Sequence, residues 1–262
     1  MEQEKQITDI LQRILLACRG IFQDNLTGVY VHGSLAFGCF RWESSDIDFL
    51  IVVKEAPSLR EKMGWIESLL ALEPFCPAKG LEMSVVLEKD CREFTYPPPF
   101  LLHFSKMHEE ACRKNIEAFC LRMQGTDKDL AAHFAVTRKM GITLWGQEAS
   151  SLFEPVPVEA FWDSIKNDIL CLEREIKKQP VYLILNACRV MAFLEEGRIL
   201  SKEQGAFWGM EHLPEIYTPL IERAQSTYRS GTRFEAETAV LKAFAGYVQK
   251  KLQMQKPLPN QL

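Results

Sequence analysis

The sequence predicts an α/β domain followed by an all-α one: a mixed sheet with helices over residues 1–156, then a helical bundle over residues 157–262. Three observations carry this. The first 90 residues alternate helical and strand-type apolar spacing. Two largely apolar runs, Ile47–Val53 and Leu81–Leu87, have strand length. Beyond Glu154-Pro155-Val156-Pro157 the spacing is helical almost throughout.

The elements follow in order. Ile7, Ile10, Leu11, Ile14, Leu15, Cys18, Ile21 and Phe22 recur at helical spacing and predict an amphipathic helix over 5–24. Gly28 to His32 reads as a short strand, and Gly33 to Asp46 as a turn-rich stretch. Ile47–Val53, apolar apart from Asp48, reads as a central strand. Pro57 is expected to open a helix running to Leu72, because proline suits the first helical turn. Pro74 and Pro77 interrupt the chain before the strand Leu81–Leu87. Pro97-Pro98-Pro99 is rigid and extended.

Residues 101–123 and 127–144 are expected to be helical, with Asp127 capping the second. In the second domain, helices are expected over 159–178, 181–196, 201–211, 215–229 and 234–251. Gly197 has the place of a C-terminal cap, and Ser201 with Gln204 makes a capping box. Residues 256–260 read as a frayed tail.

Composition narrows the function classes. A hydrophobic content of 47 % and a charged fraction of 25 % exclude fibrous, collagen-like and wholly disordered chains. Lys and Arg number 31 against 35 Asp and Glu, a net charge of −4, which argues against a broad nucleic-acid-binding surface. The apolar runs are too short to span a bilayer, and the N-terminus lacks the basic and apolar blocks of a signal peptide. The eight cysteines never form a Cys-x-x-Cys pair. They read as small hydrophobes in a reducing cytoplasm rather than as a disulfide or metal framework.

The chemistry concentrates between Gly33 and Glu82. Gly33-Ser34 follows a strand, where turn amides and a hydroxyl can cradle a phosphate. Twelve residues after Ser34 comes Asp46, then Asp48 two positions on. Alternation along a strand puts both carboxylates on one face. Like charges this close repel unless a cation lies between them, and hard oxygen ligands beside phosphate favour Mg²⁺. Glu82 shares its strand face with Ser84 and Val86, opposite Leu81, Met83 and Val85. If that strand lies beside Ile47–Val53, Glu82 reaches the aspartates and can take a proton from a substrate hydroxyl.

The motif Gly33-Ser34…Asp46-Ile47-Asp48-Phe49-Leu50 resembles the signature of the DNA-polymerase-beta-like nucleotidyltransferases. The wider chain resembles the bacterial aminoglycoside nucleotidyltransferases, most closely the streptomycin/spectinomycin adenylyltransferase group. His32 to Phe40, Asp129-Leu130-Ala131, Leu144-Trp145-Gly146, Arg189, Gly197 to Lys202 and Trp208 to Pro214 carry that resemblance, with Ala224 and Tyr228 beyond them. It implies a nucleotidyltransferase fold in the first domain and a helical domain that binds substrate and nucleotide.

The resemblance further implies that Asp46 and Asp48 bind Mg²⁺ and that Glu82 is the general base. Gly33, Ser34 and Ser45 would contact the nucleotide phosphates. Arg189 and Lys202 would reach them from the helical domain, and Tyr228 would pack near the adenine. The implied reaction moves AMP from ATP to a hydroxyl of a small cationic antibiotic and releases pyrophosphate. The implied enzyme is cytoplasmic and monomeric, without nucleic-acid or membrane partners.

The acceptor pocket departs from the streptomycin pattern. Where that group has a tryptophan and acids before the central helix of the second domain, this chain has Ile176-Lys177-Lys178-Gln179-Pro180. Met107 stands where relatives carry a tryptophan. Spectinomycin is therefore the expected acceptor over streptomycin, with Asp168, Glu173 and Glu175 as the available acids. Two alternatives stay open: a nucleotidyltransferase with a non-aminoglycoside acceptor, and a catalytically silent nucleotide-binding module.

Overall fold

A computed structural model describes residues 2–257. Of the expected tail, residues 258–260 lie outside the described residues. The chain divides into two compact units, Met1–Val156 and Pro157–Leu262.

The first unit runs α1 (Glu2–Phe22), β1 (Leu26–Val31), α2 (Gly33–Ala36), β2 (Ile47–Val53), α3 (Leu59–Leu72), β3 (Leu81–Leu87), α4 (Glu88–Arg92), β4 (Pro99–Phe100), β5 (Leu102–Phe104), α5 (Glu109–Lys114), α6 (Ile116–Arg122), β6 (Gly125–Thr126), α7 (Asp129–Met140), β7 (Ile142–Trp145) and α8 (Ala149–Leu152). The main sheet has the order β5-β3-β2-β1-β7, and β4 pairs with β6 separately. β2 and β3 are parallel, joined through α3, while the other pairings are antiparallel. The sheet is therefore mixed, with the Asp48 strand at its centre.

Strand alternation sorts the two faces. Val29, Val31, Phe49, Ile51, Met83 and Val85 join Ile10, Ile14 and Cys18 of α1 and Trp65, Ile66 and Leu69 of α3 in one apolar core. The opposite face carries Tyr30, Asp48, Leu50, Glu82 and Ser84. There Tyr30 meets Phe153 edge-on at 5.3 Å, and Phe153 meets Phe134 of α7 at 5.1 Å. One face is thus sealed by greasy helices, and the other keeps polar groups at the strand ends.

Several boundaries differ from the sequence reading. Pro57 precedes α3 rather than opening it. Ser58 is the cap, in a reciprocal capping box with Glu61. The expected helix over 101–123 is a strand and two short helices. Leu102 and Phe104 bury themselves by pairing β5 with β3, and Asn115 caps a fresh helix through Ala118 N–H. The expected helix over 127–144 stops at Met140, and Ile142–Trp145 pairs with β1 as an edge strand. Asp127 does accept a hydrogen bond from Asp129 N–H at that helix start.

The second unit is helical: α9 (Val158–Asn167), α10 (Leu172–Glu175), α11 (Pro180–Glu196), α12 (Lys202–His212), α13 (Thr218–Ser230) and α14 (Thr238–Met254). The helix expected over 159–178 is broken. Around 166–172 the bonds from Ile169 N–H to Lys166 and from Leu172 N–H to Ile169 span three residues instead of four. α11 is buried on nearly every side from Leu183 to Leu194. Gly197 closes it in the left-handed conformation, φ 68°. Ser201 and Gln204 form the expected capping box on α12.

α12 approaches α11 closely through glycines. A Cβ at Gly205 would stand 2.7 Å from Arg189 Cγ, and one at Gly209 would stand 2.6 Å from Cys188 Sγ. All eight cysteines are free thiols, and five are buried. Among the described residues no helix is long and apolar enough to cross a membrane.

Candidate active site

The register of the parallel pair places Asp48 directly opposite Glu82. Asp46 immediately precedes β2. Carboxylate oxygens of Asp46, Asp48 and Glu82 lie within 4.8 Å of one another, and all three residues are half-buried. Among the described residues this is the one cluster of three or more acids, histidines or cysteines close enough to share an ion. Three carboxylates so close repel at neutral pH, and an all-oxygen donor set suits Mg²⁺. The residues fit that ion.

The turn before the cluster is shaped around Asp48. His32 N–H donates to the Asp48 carbonyl at 2.9 Å. Gly33 has φ 59°, and a Cβ there would fall onto the Asp48 carboxylate. The position therefore needs glycine twice, for its conformation and for the closeness of the acid. Ser34 follows at the start of the four-residue α2. Its Oγ is buried with no hydrogen-bond partner among the described residues, and so is Ser44 Oγ. Ser45, expected to meet phosphate, is buried, and its Oγ accepts from Arg41 N–H at 3.1 Å. Arg41 C=O in turn accepts from Ser44 and Ser45 N–H. That hydroxyl holds the loop in shape just ahead of Asp46.

Histidines flank the acids on the same sheet face. The buried His32 ring packs on His133 at 4.7 Å, and burial followed by His133 drives its pKa well below the usual histidine range. His103 Nδ1 shares a hydrogen bond of 3.0 Å with Ser84 Oγ and packs at 5.4 Å from His108. Burial, then His108 and His133, lower the His103 pKa to about 4.

The helical unit gathers the remaining expected residues. Lys202 Nζ lies 5.2 Å from the Tyr182 ring and 6.0 Å from the Tyr228 ring. Arg189 Nε donates to the Leu200 carbonyl at 2.8 Å, and an Nη donates to Asn186 Oδ1 at 2.9 Å. Asp168 Oδ1 accepts from Tyr182 O–H at 3.2 Å. Glu175 is held by Arg174 and Lys178, and Glu173 is exposed. Tyr182 and Asn186 were not singled out from sequence. Their signal was the spacing 182, 186, 189, which puts both on the Arg189 face of α11.

Known families match each unit. The "Nucleotidyltransferase domain" family matches residues 11–95, and "Aminoglycoside adenylyltransferase, C-terminal domain" matches residues 151–251. The chain thus joins a nucleotidyltransferase domain to an aminoglycoside adenylyltransferase C-terminal domain. It is an adenylyltransferase-type enzyme. A "Spectinomycin 9-adenylyltransferase" of Staphylococcus aureus is 27 % identical over 242 residues, covering 90 % of this chain and 91 % of that one. A protein of the same name from Campylobacter jejuni is 26 % identical over 257 residues, 96 % and 95 % of the two chains. An "Aminoglycoside (3'') (9) adenylyltransferase" of Escherichia coli is 25 % identical over 260 residues, covering 95 % and 94 %. The crystal structure of spectinomycin adenyltransferase AAD(9) from Enterococcus faecialis, with ATP and spectinomycin, shares the fold. Its TM-score is 0.78 at 18 % identity, over 94 % of this chain and 99 % of that one.

Proposed function

We propose that this adenylyltransferase moves AMP from Mg-ATP to a hydroxyl of spectinomycin, in preference to streptomycin, and releases pyrophosphate. The observation that carries the reading is the carboxylate triad set behind a glycine turn. Asp46 and Asp48 would hold Mg²⁺, which when bound neutralises triphosphate charge and makes the α-phosphorus more electrophilic.

Glu82 is the general base. Its carboxylate sits beside Asp48 by strand register and takes the proton from the acceptor hydroxyl. The hydroxyl oxygen then attacks the α-phosphorus, and pyrophosphate leaves. Gly33 and Ser34 present backbone and hydroxyl donors to the phosphates at the start of α2. Ser45 keeps that loop in place through Arg41 and offers its own O–H to phosphate. In the helical unit Arg189 and Lys202 bind the nucleotide phosphates, and Tyr228 packs near the base. The first unit thus holds the reaction centre, and the second binds nucleotide and acceptor.

Spectinomycin is favoured by two observations. Relatives at 26–27 % identity that span at least nine-tenths of this chain carry spectinomycin in their names. The stretch Ile176–Pro180 lacks the aromatic and acidic side chains that the streptomycin pattern places there. Of Asp168, Glu173 and Glu175, Asp168 accepts from Tyr182 and has no ion pair among the described residues, whereas Glu175 is neutralised by two cations. The reading is that of a cytoplasmic enzyme.

The test is pyrophosphate release from Mg-ATP by the purified chain, with spectinomycin, streptomycin and other aminoglycosides as acceptors. Release with spectinomycin alone is expected. Release with streptomycin alone reverses the preference. Nucleotide binding without release on any of these drugs moves the acceptor outside the aminoglycosides.

A further inference from the structure

We infer that Asn186 is the positioning residue for Arg189, holding the guanidinium for an anionic ligand without neutralising it. The inference rests on the reading of Arg189 as a nucleotide-phosphate contact.

Several arginines of this chain sit against carboxylates: Arg92 on Glu88, Arg113 on Glu109 and Arg229 on Glu203. Arg189 does not. Among the described residues no carboxylate lies within 4 Å of it. Its two acceptors are both neutral, the Leu200 carbonyl at 2.8 Å and Asn186 Oδ1 at 2.9 Å. Gly205 clears the space for its stem. The guanidinium is therefore fixed in direction and keeps its whole charge, with N–H groups to spare.

The amide orientation follows from chemistry. A guanidinium offers only donors, so Oδ1 of Asn186 must face Arg189. Nδ2 is then turned away, and on a residue only 1 % exposed it has no hydrogen-bond partner among the described residues. Asn186 lines a small pocket of about 20 Å³ together with Asp168, Arg189, Arg198, Phe161 and Phe193. Asp168 stays outside ion-pair distance of Arg189 while accepting from Tyr182.

Leaving a buried amide N–H unsatisfied is costly, and aspartate has nearly the same shape as asparagine. Aspartate at 186 would remove the orphan donor and gain an ion pair with Arg189. It would also consume the charge that a triphosphate needs. Asparagine is the side chain that orients the fork and leaves it cationic.

The experiment is calorimetric titration of Mg-ATP, without acceptor, into the full chain and into Asn186→Asp, Asn186→Ala and Arg189→Ala, with melting temperatures measured beside it. Asn186→Asp is expected to melt no lower than the parent and to bind Mg-ATP about tenfold more weakly or worse, as expected when a neighbouring carboxylate neutralises a ligand-binding cation. Asn186→Ala is expected to weaken binding by a smaller factor. In turnover, KM for ATP should rise in both, while KM for the acceptor stays near the parent value. Unchanged Mg-ATP affinity in Asn186→Asp, with Arg189→Ala binding weakly, would overturn the positioning role and leave the Arg189 reading standing. Unchanged affinity in Arg189→Ala would overturn both.

Discussion

The Asp48 carboxylate occupies the space that a Cβ on residue 33 would need. This contact joins the glycine turn to the acidic cluster, because Gly33 also has a left-handed backbone, φ 59°. Gly33→Ala would meet both obstacles. The conformational penalty alone is about 1–2 kcal/mol. The larger consequence is displacement of Asp48 from Glu82. We expect the variant to fold with a lowered melting temperature and to lose at least about a hundredfold in kcat/KM, the scale of misplacing a reacting group by an ångström. Steady-state turnover with a parallel thermal melt checks this.

Crowding of three carboxylates gives a prediction without any substrate. Their repulsion should be relieved by Mg²⁺, so the melting temperature should rise with Mg²⁺ concentration, as for any ligand of the native state. Asp46→Asn lowers the local charge. It should melt at or above the parent in EDTA, lose the rise with Mg²⁺ and lose turnover. Retained turnover in that variant would sink the metal assignment.

The stability of this face should also depend on pH. His103 titrates at about 4 in the folded chain against an ordinary value of 6.5, and burial, then His108 and His133, are the causes. His32 and His108 are lowered as well, each first by burial. A lowered folded pKa means that the unfolded chain binds more protons between the two values. Stability is therefore full above about pH 6.5 and declines as the pH falls toward 4, by about 1.4 kcal/mol per pH unit for each such group inside its window. Denaturant melts at pH 7.5, 6 and 5 measure it. His103→Gln, which can still bond Ser84, should flatten the decline.

The sequence showed β2 and β3 to the residue because both are largely apolar runs of strand length, and it showed the acid face because alternation fixes which side Asp48 and Glu82 share. It did not show β5 or β7. Each is three or four residues long, and Leu102–Phe104 and Ile142–Trp145 continue the helical spacing of their neighbours. Only pairing to β3 and β1 makes them strands. The helix start at Ser58 was readable from its Glu61 partner, but Pro57 is the louder signal. In the helical unit Arg189 and Lys202 were legible through the family resemblance, Arg189 also as a charge within the largely apolar run Val181 to Leu194. Their neighbours Asn186 and Tyr182 were readable only as sharing the Arg189 face through the spacing 182, 186, 189, since neither carries a charge inside the apolar run.

The same helix pair yields a last expectation, at Gly205. Its missing Cβ leaves room for Arg189, whose Cγ would otherwise lie 2.7 Å away and whose backbone N would lie 3.2 Å away. Alanine would ordinarily stabilise a helix interior by about 1 kcal/mol over glycine. Here overpacking should outweigh that gain, at a cost of about 1–3 kcal/mol. The backbone of α11 cannot yield easily, because Leu183 to Leu194 is buried on nearly every side. The strain should therefore pass to the Arg189 side chain and its bond to the Leu200 carbonyl. Gly205→Ala should lower the melting temperature and raise KM for ATP with little change in kcat, since Glu82 lies in the other unit. Gly246, with nothing within 4 Å of its Cβ position, is the internal control. Gly246→Ala should raise stability by about the propensity difference and leave KM for ATP unchanged. If both substitutions stabilise alike, the close approach of α12 to Arg189 does not govern nucleotide binding.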